Sequence, residues 1–303
     1  MRRLLVATLT TLAFGAQAAV LGYELGVGAT AAGHLRALSQ QLARQNLLYQ
    51  LHIGGQSKED MVASAAQIDA LLRDLRRGNL AHSIPAPPTD EIREQVDAVE
   101  EQWDTLRTMT HASPYDHLRM SRQFATRQSR LGDPLLIRHF DALSLGLVEQ
   151  ADRLLDLYLA ECRKVGYKPC EMTRNSGLPV MWAERIASES VLVYAGLDVE
   201  RNKKRLRASR EAYEVALVGI EQIPVLREAS GSSMDQQAEF AKGLLQRIRV
   251  DWETLRGDVD LVLEGRADEI HLTRMLAAQE RMTRNHQRVR AALENIGTVQ
   301  YGG

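Results

Sequence analysis

The sequence predicts an all-α protein arranged as two tandem four-helix bundles, and three observations lead to this fold class. The 303 residues are 45% hydrophobic but only 5% aromatic, and they are rich in Leu, Ala, Arg, Glu and Gln, which lose little rotamer freedom on a helix. Apolar residues recur at helical spacing between clear breaks. The order of helix patterns in the first half of the chain returns in the second.

The first segment has the pattern of a secretory signal. Arg2 and Arg3 precede the apolar run 4–15, and Ala16-Gln17-Ala18 then places small residues where a signal peptidase reads them. We therefore expect residues 1–18 to be a signal peptide and the mature chain to be periplasmic. The alternative is an uncleaved inner-membrane anchor, because residues 4–23 carry no charge.

Residues 19–165 are predicted to form the first four-helix bundle. The prolines at 85, 87 and 88 interrupt the helical pattern, and Thr89 or Asp90 can cap the helix that follows them. The predicted helices are Ala31–Ile53, Ser57–Arg77, Thr89 or Asp90 to about Thr110, and Pro134–Glu161.

The two cysteines, Cys162 and Cys170, lie on either side of a short segment that contains Gly166 and Pro169. In an oxidising periplasm this spacing favours a disulfide. Two unpaired thiols remain the alternative. A metal site is less favoured, because no histidine or second cysteine pair lies nearby at ligand spacing.

Residues 171–300 are predicted to form a second, more degenerate four-helix bundle. Its expected helices are Pro179–Leu197, Val199–Ile220, Asp235–Leu263 and Asp268–Ile296. The sequence WDTLR at 103–107 returns as WETLR at 252–256, and both tryptophans are expected to anchor a core. Four apolar or small positions of one helix, Met61, Ser64, Ile68 and Leu72, align with Leu206, Ser209, Tyr213 and Leu217. These correspondences indicate an internal duplication.

Residues 32–44, AGHLRALSQQLAR, resemble the AGRQRMLSQRMAK signature of the type IV pili methyl-accepting chemotaxis transducer N-terminal domain, the PilJ-type and NarX-type sensor module. Residues 176–187, SGLPVMWAERIA, are a more degenerate version. The resemblance implies extracytoplasmic four-helix bundles that sense small molecules. In some members of the family the signature arginine binds nitrate or nitrite at a dimer interface.

The resemblance makes Arg36 and Arg185 the candidate ligand-binding arginines. The first copy keeps the earlier signature arginine as Arg36 and has Gln41 at the later position, whereas the second has Val180 at the earlier position and keeps Arg185. Ser39 and Gln40 follow Arg36 at helical spacings i+3 and i+4, so the three side chains are expected to form one polar patch beside the core. A guanidinium can donate two parallel hydrogen bonds to a planar anion such as nitrate. The alternative is an ordinary solvated face or a hydrogen-bond network between helices.

Composition and motifs exclude several functions. A formal net charge of −1 argues against a nucleic-acid partner. No phosphate loop, nucleophile elbow or metal-protease motif occurs, so neither an enzyme nor a cofactor is expected. No output domain follows the second repeat, and we therefore expect a stand-alone sensor-like protein that binds a small anion or a signalling partner. The alternative is a structural module of an envelope complex. A homodimer stays open, and membrane association is expected only if the N-terminal segment is uncleaved.

Overall fold

The computed structural model describes residues 2–53, 58–111, 134–167, 169–227 and 233–301. In these ranges the protein is all-α, as predicted, and it contains no strand beyond an isolated bridge between Asn79 and Ile84. A short 3₁₀ helix spans Leu80–His82. The α-helices of the described ranges are α1 (Arg2–Leu51), α2 (Lys58–Arg77), α3 (Asp90–His111), α4 (Pro134–Lys164), α5 (Pro169–Tyr194), α6 (Val199–Glu221), α7 (Pro224–Arg227), α8 (Ser233–Glu264) and α9 (Glu269–Tyr301).

The first helix begins much earlier than predicted. We expected it to start at Ala31, but α1 is continuous from Arg2. Glycines before Ala31 allow close packing within this longer helix. A Cβ on Gly28 would lie only 2.3 Å from the ring of Tyr158, so a larger residue would clash with α4. The helix ends where His52 takes a left-handed conformation and the Ile53 amide donates to the Leu48 carbonyl, a helix-ending bond.

The start predicted for α5 is also wrong. Pro179 was expected at the first position of this helix, but the helix begins at Pro169 and contains Pro179. Proline removes one backbone hydrogen bond inside a helix. Burial of the adjacent Val180 and Met181 offsets that loss, so the helix continues through the proline.

Two local predictions are confirmed. The hydroxyl of Thr89 accepts a hydrogen bond from the Ile92 amide at 3.2 Å, which caps α3. Cys162 and Cys170 form a disulfide with their Cα atoms 6.3 Å apart. This bond ties the end of α4 to the start of α5.

The buried apolar side chains form two clusters. The first lies among α1 to α4 and contains Trp103; the second lies mainly among α5, α6, α8 and α9 and contains Trp252. Both tryptophans are nearly inaccessible, which confirms their prediction as core residues. Helix α1 belongs to both clusters, because Leu35 and Leu42 lie in the first and Leu47 in the second.

Helix α1 also joins the two groups of helices directly. It packs against α2 and α4 on one side and against α5 on the other. Arg36 lies beside Gly177, and Arg44 contacts Glu184, so α1 and α5 run parallel. From Leu21 onward, among the residues whose side chains the structure describes, no helix is both long and apolar enough to cross a membrane.

Candidate functional site

The polar patch predicted on α1 is buried between helices. Arg36 is 3% exposed, Ser39 is fully buried and Gln40 is 3% exposed. A solvated face, one of the two alternatives to a ligand site, is therefore wrong for these residues, because α1 has α4 and α5 packed around it. The patch lies inside the protein, where each polar group needs a protein, water or ligand partner.

Arg36 is only partly paired. Its Nη1 donates to Asp152 Oδ1 of α4 at 2.6 Å. Its Nε and Nη2 are buried and have no hydrogen-bond partner. On the α5 side it faces Gly177, where an added Cβ would stand 3.6 Å from Nη2. Because position 177 carries no side chain, the backbone of α5 can approach the guanidinium closely.

The partner carboxylate is much more accessible than the arginine. Asp152 has a side-chain exposure of 45%, against 3% for Arg36. The charge of Arg36 is thus balanced by a group that water already reaches. Buried N–H groups without partners cost about 1–3 kcal/mol each, so this arginine favours any small acceptor that can reach Nε and Nη2.

Ser39 and Gln40 differ in how they could contribute to a site. The Ser39 hydroxyl donates to the Leu35 carbonyl at 2.7 Å, and its oxygen keeps an acceptor role. Gln40 carries both donor and acceptor atoms on the same turn. The neighbouring Gln41, which stands at the later arginine position of the signature, donates to the Ser64 hydroxyl at 3.2 Å and so faces α2.

Arg185 is not brought together with Arg36. Its Nε donates to Glu189 at 2.9 Å, and its guanidinium lies 5.3 Å from the centre of the Trp182 ring. Glu189 also accepts from Arg205, which pairs with Asp141 of α4. Arg185 therefore belongs to a separate ion network, about 12 Å along α5 from Gly177 at the helical rise per residue.

A buried ion pair between the two halves was not predicted. Arg44 Nε donates to Glu184 Oε2 at 2.6 Å, and the two side chains are 7% and 2% exposed. Thr283 of α9 donates to the other Glu184 oxygen at 3.2 Å, and Gln279 donates to Thr283. The available signal was the spacing 36, 40 and 44, which places Arg44 on the same face of α1 as Arg36 and Gln40.

Among the described residues, no group of three His, Cys, Asp or Glu side chains is arranged to hold a metal ion. At the start of α9, Asp268 accepts from the His271 amide at 3.0 Å, as a capping acid does.

Comparison with known families bears on the part of the chain that contains Arg36. A sequence model of the PilJ family, the type IV pili methyl-accepting chemotaxis transducer N-terminal domain, matches residues 30–122. Residues 30–122 are similar to a sensory domain. The match covers Arg36, Ser39, Gln40 and Arg44 and does not extend to Arg185. No curated protein and no solved structure matches the chain.

Proposed function

We propose that the protein is a non-enzymatic, sensor-like protein that binds a small planar anion such as nitrate or nitrite at Arg36. The observation that carries the proposal is the buried guanidinium of Arg36, with two nitrogens that lack partners, inside the segment similar to the PilJ family. Nε and Nη2 would donate to two oxygens of the anion, and Ser39 and Gln40 would add neutral hydrogen bonds.

The architecture behind this proposal is two tandem, NarX-like four-helix bundles that arose by duplication, over residues 19–165 and 171–300. Support comes from burial at aligned positions: Met61 and Leu206 are both buried, as are Ile68 and Tyr213. The parallel packing of α1 on α5 then pairs equivalent helices of the two copies. The copies would thus form within one chain the kind of contact that two-fold dimers form between chains.

In such an arrangement the site has one arginine rather than two. The earlier signature position is Arg36 in the first copy and Val180 in the second, and Arg185 is engaged by Glu189. The anion would therefore depend mainly on Arg36, and the Asp152 carboxylate on Nη1 would repel it. Because Asp152 is half-exposed, solvent screens part of this repulsion.

Calorimetric titration with nitrate and nitrite tests this function. Arg36→Ala should weaken binding by roughly ten- to a hundredfold, which corresponds to about 1.5–3 kcal/mol for a charged hydrogen-bonding partner. Asp152→Asn should strengthen binding, because it removes the repelling charge. Asp156→Asn, one turn further along α4 and 57% exposed, is the matched control and should change little. Arg185→Ala should have a smaller effect than Arg36→Ala.

Two results would count against the anion site. One is the absence of nitrate and nitrite binding by the parent at millimolar concentration. The other is an unchanged affinity in Arg36→Ala whose melting temperature shows that it is folded. Asp152→Asn keeps every core residue and so tests the site even if the arginine variant is unstable.

Export to the periplasm is part of the proposal, with cleavage after Ala18 as its expected route. The intact mass of the exported protein should correspond to a chain that begins at Ala19. A mass that includes residues 1–18 would favour the inner-membrane anchor formed by residues 4–23.

A structural or interaction module is the second candidate, and exposed apolar side chains favour it. Val215 and Val218 lie three residues apart on α6 and are 73% and 43% exposed. Such side chains can form part of a contact with an envelope or signalling protein or with a second copy. Light scattering of the ligand-free parent and of Val215→Asp would report a homodimer held by this face.

A further inference from the structure

A cavity lies near Arg36 but does not include it. It has a volume of about 400 Å³ and opens between α1, α5 and α9, with Leu71 of α2 and Ile84 at one side. This volume lies within the range of small-molecule sites, which is about 300–1,000 Å³. Neither Arg36, Ser39 nor Gln40 lines it.

The cavity has an apolar wall and a polar wall. Val27, Met172 and Leu293 supply apolar surface from α1, α5 and α9. Thr30 and His34 of α1 face it at helical spacing i and i+4, and Thr173 and Ser176 contribute hydroxyls from α5. Small-molecule sites combine mostly apolar surface with a few polar groups that fix orientation, and this cavity has both.

The charges around the cavity are balanced. Burial and, to a smaller extent, the nearby Arg290 together lower the pKa of His34 from 6.5 to about 4, so the imidazole is uncharged at neutral pH. A neutral imidazole offers one donor and one acceptor. At the rim, Glu294 Oε1 lies 3.4 Å from Arg290 Nε, and these opposite charges offset each other. The cavity therefore suits a ligand without net charge.

We propose that this cavity binds an uncharged amphipathic small molecule, whose polar group hydrogen-bonds to His34 and the hydroxyls of Thr30 and Thr173, and whose apolar part packs on Met172 and Leu293. This site is independent of the anion site at Arg36. The protein would accordingly recognise two chemically different ligands at neighbouring places on the same two helices.

The fluorescent probe N-phenyl-1-naphthylamine tests occupancy, because it is uncharged and its emission rises in apolar surroundings. We expect saturable binding to the parent. Thr30→Trp should fill the cavity and weaken binding by at least about tenfold. Thr105→Trp, an exposed threonine on α3, is the matched control and should bind within about twofold of the parent. Arg36→Ala should also retain probe binding, which separates this site from the anion site.

Three related competitors test the chemistry of the cavity. We expect 1-naphthol to displace the probe better than naphthalene, because naphthalene has no hydroxyl to hydrogen-bond. We also expect 1-naphthol to displace it better than 1-naphthoate, because 1-naphthoate is charged. In His34→Leu, 1-naphthol should lose its advantage over naphthalene. This loss distinguishes a positioning hydrogen bond from mere space in the cavity.

Each contrary result overturns a stated part of the proposal. Failure of the parent to bind the probe, or unchanged binding by folded Thr30→Trp, removes the site. If Thr30→Trp does not fold, Met172→Trp is measured in the same way and the same outcomes apply. Equal displacement by naphthalene and 1-naphthol, or stronger displacement by 1-naphthoate, overturns the uncharged amphipathic class of ligand.

Discussion

Removing one partner of the buried Arg44–Glu184 ion pair should strongly destabilise the protein. Both side chains are almost inaccessible, and Glu184 additionally accepts from Thr283. Glu184→Leu leaves the Arg44 charge buried without its counter-ion, and loss of one partner from such a pair costs about 3–5 kcal/mol. Replacing both partners with leucine removes both charges, so the double variant should be more stable than either single variant.

Urea unfolding followed by circular dichroism at 222 nm measures these changes. The single variant should lower the free energy of unfolding by about 3–5 kcal/mol, and the double variant by clearly less. The exposed pair Arg153–Glu149 provides the control, because its side chains are 59% and 65% accessible and Arg153→Leu should cost at most about 0.5 kcal/mol. A loss below about 1 kcal/mol in Glu184→Leu, or a double variant less stable than both singles, would refute the reasoning.

Three further changes have calculable effects on stability. His286 is fully buried, and burial lowers its pKa from 6.5 to about 3. The unfolded chain therefore takes up a proton first as the pH falls, and this histidine alone should cost about 2 kcal/mol of stability between pH 6.5 and 5. Urea unfolding at the two pH values should show a loss that is smaller by about this amount in His286→Leu than in the parent, while the contribution of His34 remains. Reducing the Cys162–Cys170 disulfide opens a short loop in the unfolded chain and should lower the free energy of unfolding by about 2–3 kcal/mol. The melting temperature should therefore be lower in dithiothreitol. An unchanged melting temperature would contradict the loop-entropy argument. Gly28→Ala should lower the free energy of unfolding by about 1–3 kcal/mol in the same urea assay, because its Cβ would overlap the buried ring of Tyr158. Gly33→Ala is the control and should be neutral or stabilising, because an added Cβ would have no neighbouring atom within 4 Å.

Local patterns in the sequence were sufficient to predict an all-α protein and several details. Apolar residues such as Ile68 and Leu154 recur at helical spacing and are buried as that spacing requires. The Thr89 cap depends on residues three apart, and the disulfide joins cysteines eight apart. In each case the information lies within one or two helical turns or one short loop.

The interior polar contacts could not be read from local spacing. Arg44 and Glu184 are 140 residues apart, and Thr283 is a further 99 residues from Glu184. Helix α1 has partners on several sides, so between Arg36 and Gln50 most of its polar residues are buried along with the apolar ones. The burial of Arg36 follows from this tertiary packing, which neither its spacing from Ser39 nor helix propensity specifies.

The continuity of α1 through both apolar clusters couples the folding of the two cores and limits the substitutions that α1 can accept. Leu35 and Leu47 lie on one uninterrupted helix but in different cores, so loss of order in one core withdraws packing surface from the other. Residues 169–301 expressed alone would lack Leu47, Leu48 and Leu51 and would present an uncovered apolar face. A substitution on α1 is therefore constrained by two environments at once. Such a helix should accept fewer changes than α3, whose main contacts among the described residues are with α2 and α4.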